Sequence, residues 1–204
     1  MDRTEQIFNI VKSSAHKIFE QSQGLIEGHC NRNSGNIAAE LVTVFREAFL
    51  QAAHLQRNQL KGVIRYLVLS HLASSILEER YLVKLDIYDN RFYADTEEID
   101  AYLALNWLYG FLSDDMNRIR KELINQRVMH PSACELEQIR YRYVYYYHAV
   151  ALKIISKSIP ALLELPEFLD LNIDTGFEVF FGGYMDKVVE VWPETEGDNE
   201  VFPC

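Results

Sequence analysis

Apolar residues recur along most of this chain at intervals of three and four, the spacing of one face of an α-helix. Asp2 and Glu5 form an acidic cap ahead of a stripe made by Ile7, Val11, Ile18 and Phe19, which stops at Gly24. The segment "GLIEGHCNRNSGN" (24–36) is rich in turn-forming residues and reads as a loop. From Ile37 a second stripe runs through Leu41, Val42, Phe45, Phe49, Ala52 and Ala53. A third follows Gly62, with Ile64, Leu67, Val68, His71, Leu72, Ser75 and Ile76 at helical spacing, and ends near Glu79.

The period then changes from three and a half to two. In "RYLVKLDIYDNRFYAD" (80–95), Tyr81, Val83, Leu85 and Ile87 alternate with Lys84, Asp86 and Tyr88, as in an extended strand. Asp89-Asn90 suits a turn, and Arg91, Phe92, Tyr93 and Ala94 read as a return strand. A two-stranded hairpin is marginal in water, so this one must lean on helices.

Helical spacing resumes after Asp95 and Glu98, which suit a cap, with Ile99, Tyr102, Leu103, Trp107 and Phe111. Another helix, opening at Ser113 or Asp114, runs through Met116, Ile119, Leu123 and Ile124 to His130-Pro131. Ser132 and Glu135 form an S-x-x-E capping box, and the helix behind them reads as the longest in the chain, reaching about Ser158. Thr175 and Glu178 suggest a cap for a last helix through Phe181, Tyr184, Met185, Val188 and Trp192. Gly182-Gly183 inside it would cost about 1 kcal/mol per glycine relative to alanine, which close backbone packing would offset. The pattern thus predicts an all-α fold: a bundle of six or seven helices with a small β-hairpin inserted at about residues 81–94. Residues 1–193 form one helical domain on this reading, and 194–204 a loose acidic tail.

Composition adds limits. With 49% hydrophobic and 12% aromatic residues among 204, the chain has ample material for a core. No apolar run approaches the roughly 18 to 20 residues that span a bilayer, which argues against a membrane partner. Cys30, Cys134 and Cys204 show neither zinc-site nor disulfide spacing, so a reducing cytoplasm is expected. The net charge of −10 is uneven. Residues 1–160 balance at 19 acidic and 19 basic side chains, whereas 161–204 hold 11 acidic ones and only Lys187. Positions 118–157 carry eight basic residues against three acidic ones. Overall acidity argues against nucleic acid as a partner, since that affinity rests on neutralising phosphates.

Candidate chemistry is sparse. His71, Ser74, Ser75 and Glu78 fall on one helical stripe next to Asp86, and an imidazole, hydroxyls and carboxylates together suit a cation or acid–base work. The plainer account is close helix packing on the two serines. Arg140, Tyr147 and His148 belong to the tyrosine-rich stretch "RYRYVYYYHAV", a groove suited to an anion or aromatic ligand, or an ordinary amphipathic packing face. Of Asp86, Asp89 and Asp95, Asp89 suits the turn and Asp95 a cap, which leaves Asp86 without a structural task. No metal set and no cofactor motif is assigned; H-E-x-x-H, P-loop and G-x-S-x-G are all missing. The expected function is a non-catalytic cytosolic interaction or regulatory module. Its contacts, to a protein partner or a second copy as a homodimer, would be anchored by Trp107, Tyr143, Tyr146, Tyr147 and Trp192. The alternative is a metal- or small-ligand-dependent enzyme or sensor with its site where His71, Glu78 and Asp86 meet the hairpin.

Overall fold

A computed structural model describes residues 2–128 and 130–193, the side chain of Tyr93 excepted. The acidic end 194–204 lies outside the described residues. In chain order the elements are α1 (Arg3–Arg57), β1 (Ile64–His71), α2 (Ala73–Leu77), β2 (Leu82–Asp89), a 3-10 turn (Phe92–Ala94), β3 (Tyr102–Ala104), α3 (Asn106–Asn125), α4 (Ala133–Tyr143), α5 (Tyr145–Leu162), α6 (Pro166–Leu169), β4 (Ile173–Gly183) and β5 (Val188–Trp192). They divide into two compact units: residues 2–34 with 106–151, and residues 35–105 with 152–193.

The first unit is helical and built from the first part of α1, α3, α4 and the start of α5. Residues 24–36 are helix rather than loop, because Ser22, Ile26 and Ile37 all bury their side chains and extend one apolar face past the glycines. Only Asn33 leaves helical geometry (φ −115°, ψ 17°). The residues read as two helices between 95 and 130 form one, α3, which starts at Asn106. The Ser132–Glu135 capping box is present in full, with both reciprocal hydrogen bonds at 2.7 and 3.2 Å. Its helix breaks at Val144, so α1 is the longest helix, and Pro160 sits inside α5 rather than ending it.

The second unit overturns the all-α expectation. It holds a five-stranded mixed sheet in the order β3-β2-β1-β4-β5, parallel between β1 and β4 and antiparallel elsewhere. Residues 64–71, expected as helix, are the central strand. Both of its edges are paired and Leu67, Val68, Leu69 and Ser70 are all buried, so an apolar run replaces alternation and imitates helical spacing. The expected hairpin is half right: 82–89 is a strand, but it pairs with β1 and β3, and 92–94 turn instead of returning. The expected last helix is the β4–β5 hairpin, in which Phe177, Val179 and Phe181 alternate inward. Gly182 does answer to close backbone approach, in a strand: a Cβ there would strike the Lys187 carbonyl and Val188.

One face of this sheet is apolar and covered by helices. Leu67, Leu69, Leu85, Ile87, Val179 and Phe181 are buried along it, as are Phe45, Phe49, Ile155, Ile159 and Phe168 on α1, α5 and α6. Rings link the layers, with Phe49, Phe168, Phe177 and Trp192 in sequence at centroid spacings of 5.1, 5.2 and 5.6 Å. Two glycine substitutions should therefore act in opposite directions in chemical denaturation. Gly182→Ala is expected to cost about 1–3 kcal/mol through backbone overlap. Gly24→Ala, in open space on α1, should stabilise by roughly 0.5–1 kcal/mol.

Candidate functional site

The chain's most constrained chemistry lies where α1 ends and β2 leaves the sheet. Gln59 takes a left-handed backbone (φ 58°), which lets its N–H reach the Gln56 carbonyl and the Leu60 N–H reach that of Leu55. This is a Schellman ending, with Leu60 just past the helix. The chain then buries Lys61 completely. Its ammonium donates to Asp95 Oδ2 at 2.5 Å, the Glu97 carbonyl at 2.7 Å and the Ile87 carbonyl at 3.0 Å, so all three protons are used. Asp95 also accepts the Asp89 N–H (3.0 Å) and the Glu97 N–H (3.1 Å). Rather than capping a helix, Asp95 closes the loop from the end of β2 to β3.

Asp89 is the second anchor. Its carboxylate accepts the Arg91 N–H at 2.9 Å, which makes the turn, and receives Arg91 Nη2 at 2.7 Å and the Gly62 N–H at 3.1 Å. A side chain at Gly62 would crowd this carboxylate, with a Cβ only 3.1 Å from Oδ2. Burial alone would raise the Asp89 carboxyl, but the Arg91 guanidinium and the two backbone donors prevail and hold it at about 2. Phe92, also left-handed (φ 53°), sets its ring edge-on to Tyr66 at 4.8 Å.

These fixed segments wall a cleft of about 800 Å³. Its polar lining comes from the end of β2 and the turn after it (Asp89, Asn90, Arg91), from α6 and the link to β4 (Glu167, Asp170, Asn172), and from the end of α1 and just past it (Gln56, Arg57, Gln59). Its aliphatic lining includes Leu50, Leu60 and Val63, which stay 49%, 50% and 36% exposed. A volume in the usual range for ligand sites and a lining that mixes aliphatic with polar and charged side chains suit the capture of an amphipathic group.

The residues expected to act fall elsewhere. His71, Glu78 and Asp86 do not converge. His71 pairs with Val83 and Asp86 with Val68, on opposite faces of the sheet, and Glu78 is exposed and ion-paired with Arg80. Ser75 is buried and accepts the Leu82 N–H at 2.6 Å, whereas Ser74 is exposed. Asp86 has a partner after all, Lys84 Nζ at 2.9 Å. Burial works against the Lys84 ammonium, but Asp86, Tyr184 and Glu98 together outweigh it and raise it; burial in turn raises the Asp86 carboxyl against the pull of Lys84. Tyr143 and Tyr147 lie in the interior, Trp107, Tyr146 and Trp192 are half-buried, and Arg140 is half-exposed on α4. His148 Nδ1 is 2.6 Å from the Tyr109 hydroxyl.

Two central residues went unread in the sequence. Asp115, fully buried in the helical unit, accepts from Ser22 (2.6 Å), Tyr143 and Tyr147 (2.8 Å each) and Arg118 (3.3 Å). Burial and this carboxylate push both tyrosines upward, so their hydroxyls remain donors. A sequence signal existed: Asp115 falls on the stripe Leu108, Leu112, Ile119, Leu123, a carboxylate at an apolar position. Lys61 gave no such signal, because its partner is 34 residues away.

Among the described residues no group of three or more His, Cys, Asp or Glu side chains is placed to hold a metal ion. No described helix is long and apolar enough to cross a membrane. Comparison with family models, characterised proteins and solved structures finds no match to this chain.

Lys61→Met should cost about 3–5 kcal/mol in denaturant unfolding, because Asp95 is left buried with only the Arg91 guanidinium, 3.6 Å away, as a counter-charge. A value below about 1 kcal/mol would deny the pair this role. Acid should act in two windows. His71, lowered by burial from 6.5 to about 4 against the pull of Asp186, binds its proton only after the unfolded chain has done so. Its share of stability is therefore complete above pH 6.5 and lost as pH falls from 6.5 to 4, and His71→Phe should flatten that slope. The share of Asp89 is lost lower, between its ordinary 3.8 and about 2.

Proposed function

We propose that the protein is a non-catalytic binding module whose cleft receives an apolar side chain from a protein partner. One observation carries this reading: Leu50, Leu60 and Val63, three aliphatic side chains left substantially in water, line the same cleft. Concave apolar spots ringed by polar groups are where partner side chains anchor, because full desolvation there gives the largest return per contact. The wall is held before binding by Lys61–Asp95 and Asp89–Arg91, which lowers the ordering cost of association. The reading places the module in the cytosol, since Cys30 and Cys134 are unpaired thiols suited to a reducing compartment. Net acidity supports a protein over a nucleic-acid partner.

Selection of a phage-displayed random peptide library on the full chain tests this. Wild type should enrich peptides sharing one aliphatic or aromatic anchor, and Leu60→Glu and Leu50→Glu should each weaken them at least about tenfold, a loss near 1.4 kcal/mol. Both positions are half in water, so melting temperatures should hold. Enriched peptides that bind Leu60→Glu equally well would overturn the reading. A small molecule retained by wild type and lost by Leu60→Glu in native mass spectrometry would replace the protein partner with a small ligand.

A further inference from the structure

The helical unit carries a second surface with chemistry of its own, and it does not depend on the cleft. At this surface α1 and α4 run in the same direction. Arg3, in the first turn of α1, grips both carboxylate oxygens of Glu135 in the first turn of α4, at 2.7 and 3.1 Å. Further along both helices the Arg142 guanidinium lies over the Phe8 ring, 5.4 Å from its centroid. Tyr141 and Tyr145 stand one turn apart beside Arg142, their rings edge-on at 6.5 Å. Phe8, Tyr141 and Tyr145 are 45%, 46% and 42% exposed, although each carries a large apolar surface.

Charge is graded along this face. The exposed acids Glu5 and Glu137 precede Phe8 and Tyr141 by one turn, whereas exposed Lys12 follows Phe8 by one turn. Arg142 makes no ion pair among the described residues. A guanidinium stacked on a ring keeps its in-plane N–H donors pointing outward, a fork that matches a carboxylate. Exposed aromatic rings around an unpaired arginine are the residue types that dominate protein interfaces.

We propose that the face formed by Phe8, Tyr141, Arg142 and Tyr145 docks an acidic peptide segment of a partner protein. An Asp or Glu carboxylate takes the free edge of Arg142, and a neighbouring apolar side chain packs against the exposed Tyr141–Tyr145 pair beside it. The Arg3–Glu135 clamp fixes the spacing of the two helices, so the surface is formed before the partner arrives.

Fluorescence anisotropy on the full chain tests this with three labelled probes: a Gly/Ser dodecapeptide with Asp-Phe-Glu-Leu at its centre, its Lys-Phe-Lys-Leu counterpart, and a dodecathymidylate. The acidic peptide should bind saturably. Arg142→Glu should weaken it at least tenfold and bring the basic peptide up in its place, and Phe8→Ala should weaken it several-fold. Leu60→Glu in the cleft should leave it unchanged, and circular dichroism should report intact helices in every variant. Absence of saturable binding up to about 1 mM overturns the proposal. So does equal affinity for Arg142→Glu, or binding of the oligonucleotide in preference to the peptide.

Discussion

A lysine and an aspartate with no exposed side-chain surface, 2.5 Å apart, set the shape of the sheet-bearing unit. Removing two charges from water costs several kcal/mol each, and attraction repays this only when every remaining donor and acceptor is also satisfied. Lys61 and Asp95 meet that condition through two carbonyls and two backbone amides. The same bonds that make the pair tolerable tie the turn after α1, the end of β2 and the strand-like run after Asp95 to one point. The wall of the cleft, from Asp89 to Arg91, is one consequence. The left-handed backbone at Phe92 lies within the same loop, with the Phe92 ring packed edge-on to Tyr66.

The helical unit solves a related problem around one fully buried charge. Asp115 sits at an apolar position of α3 and collects a serine, two tyrosines and an arginine. Because Tyr143 and Tyr147 are one turn apart and share Oδ2, the carboxylate specifies both the register and the rotation of the helices that bear them. The tyrosine-rich stretch is thereby divided. Its inward residues serve Asp115, and its outward residues, Tyr141 and Tyr145, remain in water beside Arg142. One sequence pattern therefore supplies both a core and a surface.

Local signals in the sequence were legible where the structure decides them locally. Ser132 and Glu135 form their cap, Asp89 makes its turn, and alternation over 82–89 marks a strand. What pairs with that strand was not legible. Its neighbour β1 is buried on both faces and paired on both edges, and such a run carries the same i, i+3, i+4 coincidences as a helix. Thr175 and Glu178 imitated a cap within β4, whose true signal was the alternation of Phe177, Val179 and Phe181. The cleft was legible only in part. The stretch from Asp89 to Asp95 stood out as irregular, but Leu50, Leu60 and Val63 meet there only because the β1–β4 pairing brings the end of α1 to the start of β4.

The central claim is that Lys61 holds the Asp89–Glu97 loop through Asp95. Hydrogen exchange of the Asp89 and Glu97 amides in Lys61→Met, under conditions where the protein stays folded, tests it most directly. Both amides donate to Asp95. The account predicts that they lose protection together, by at least about tenfold, while amides in the middle of α3 keep theirs. Wild-type protection at both amides in the folded variant would contradict it, and would show that the loop holds its shape without the buried pair.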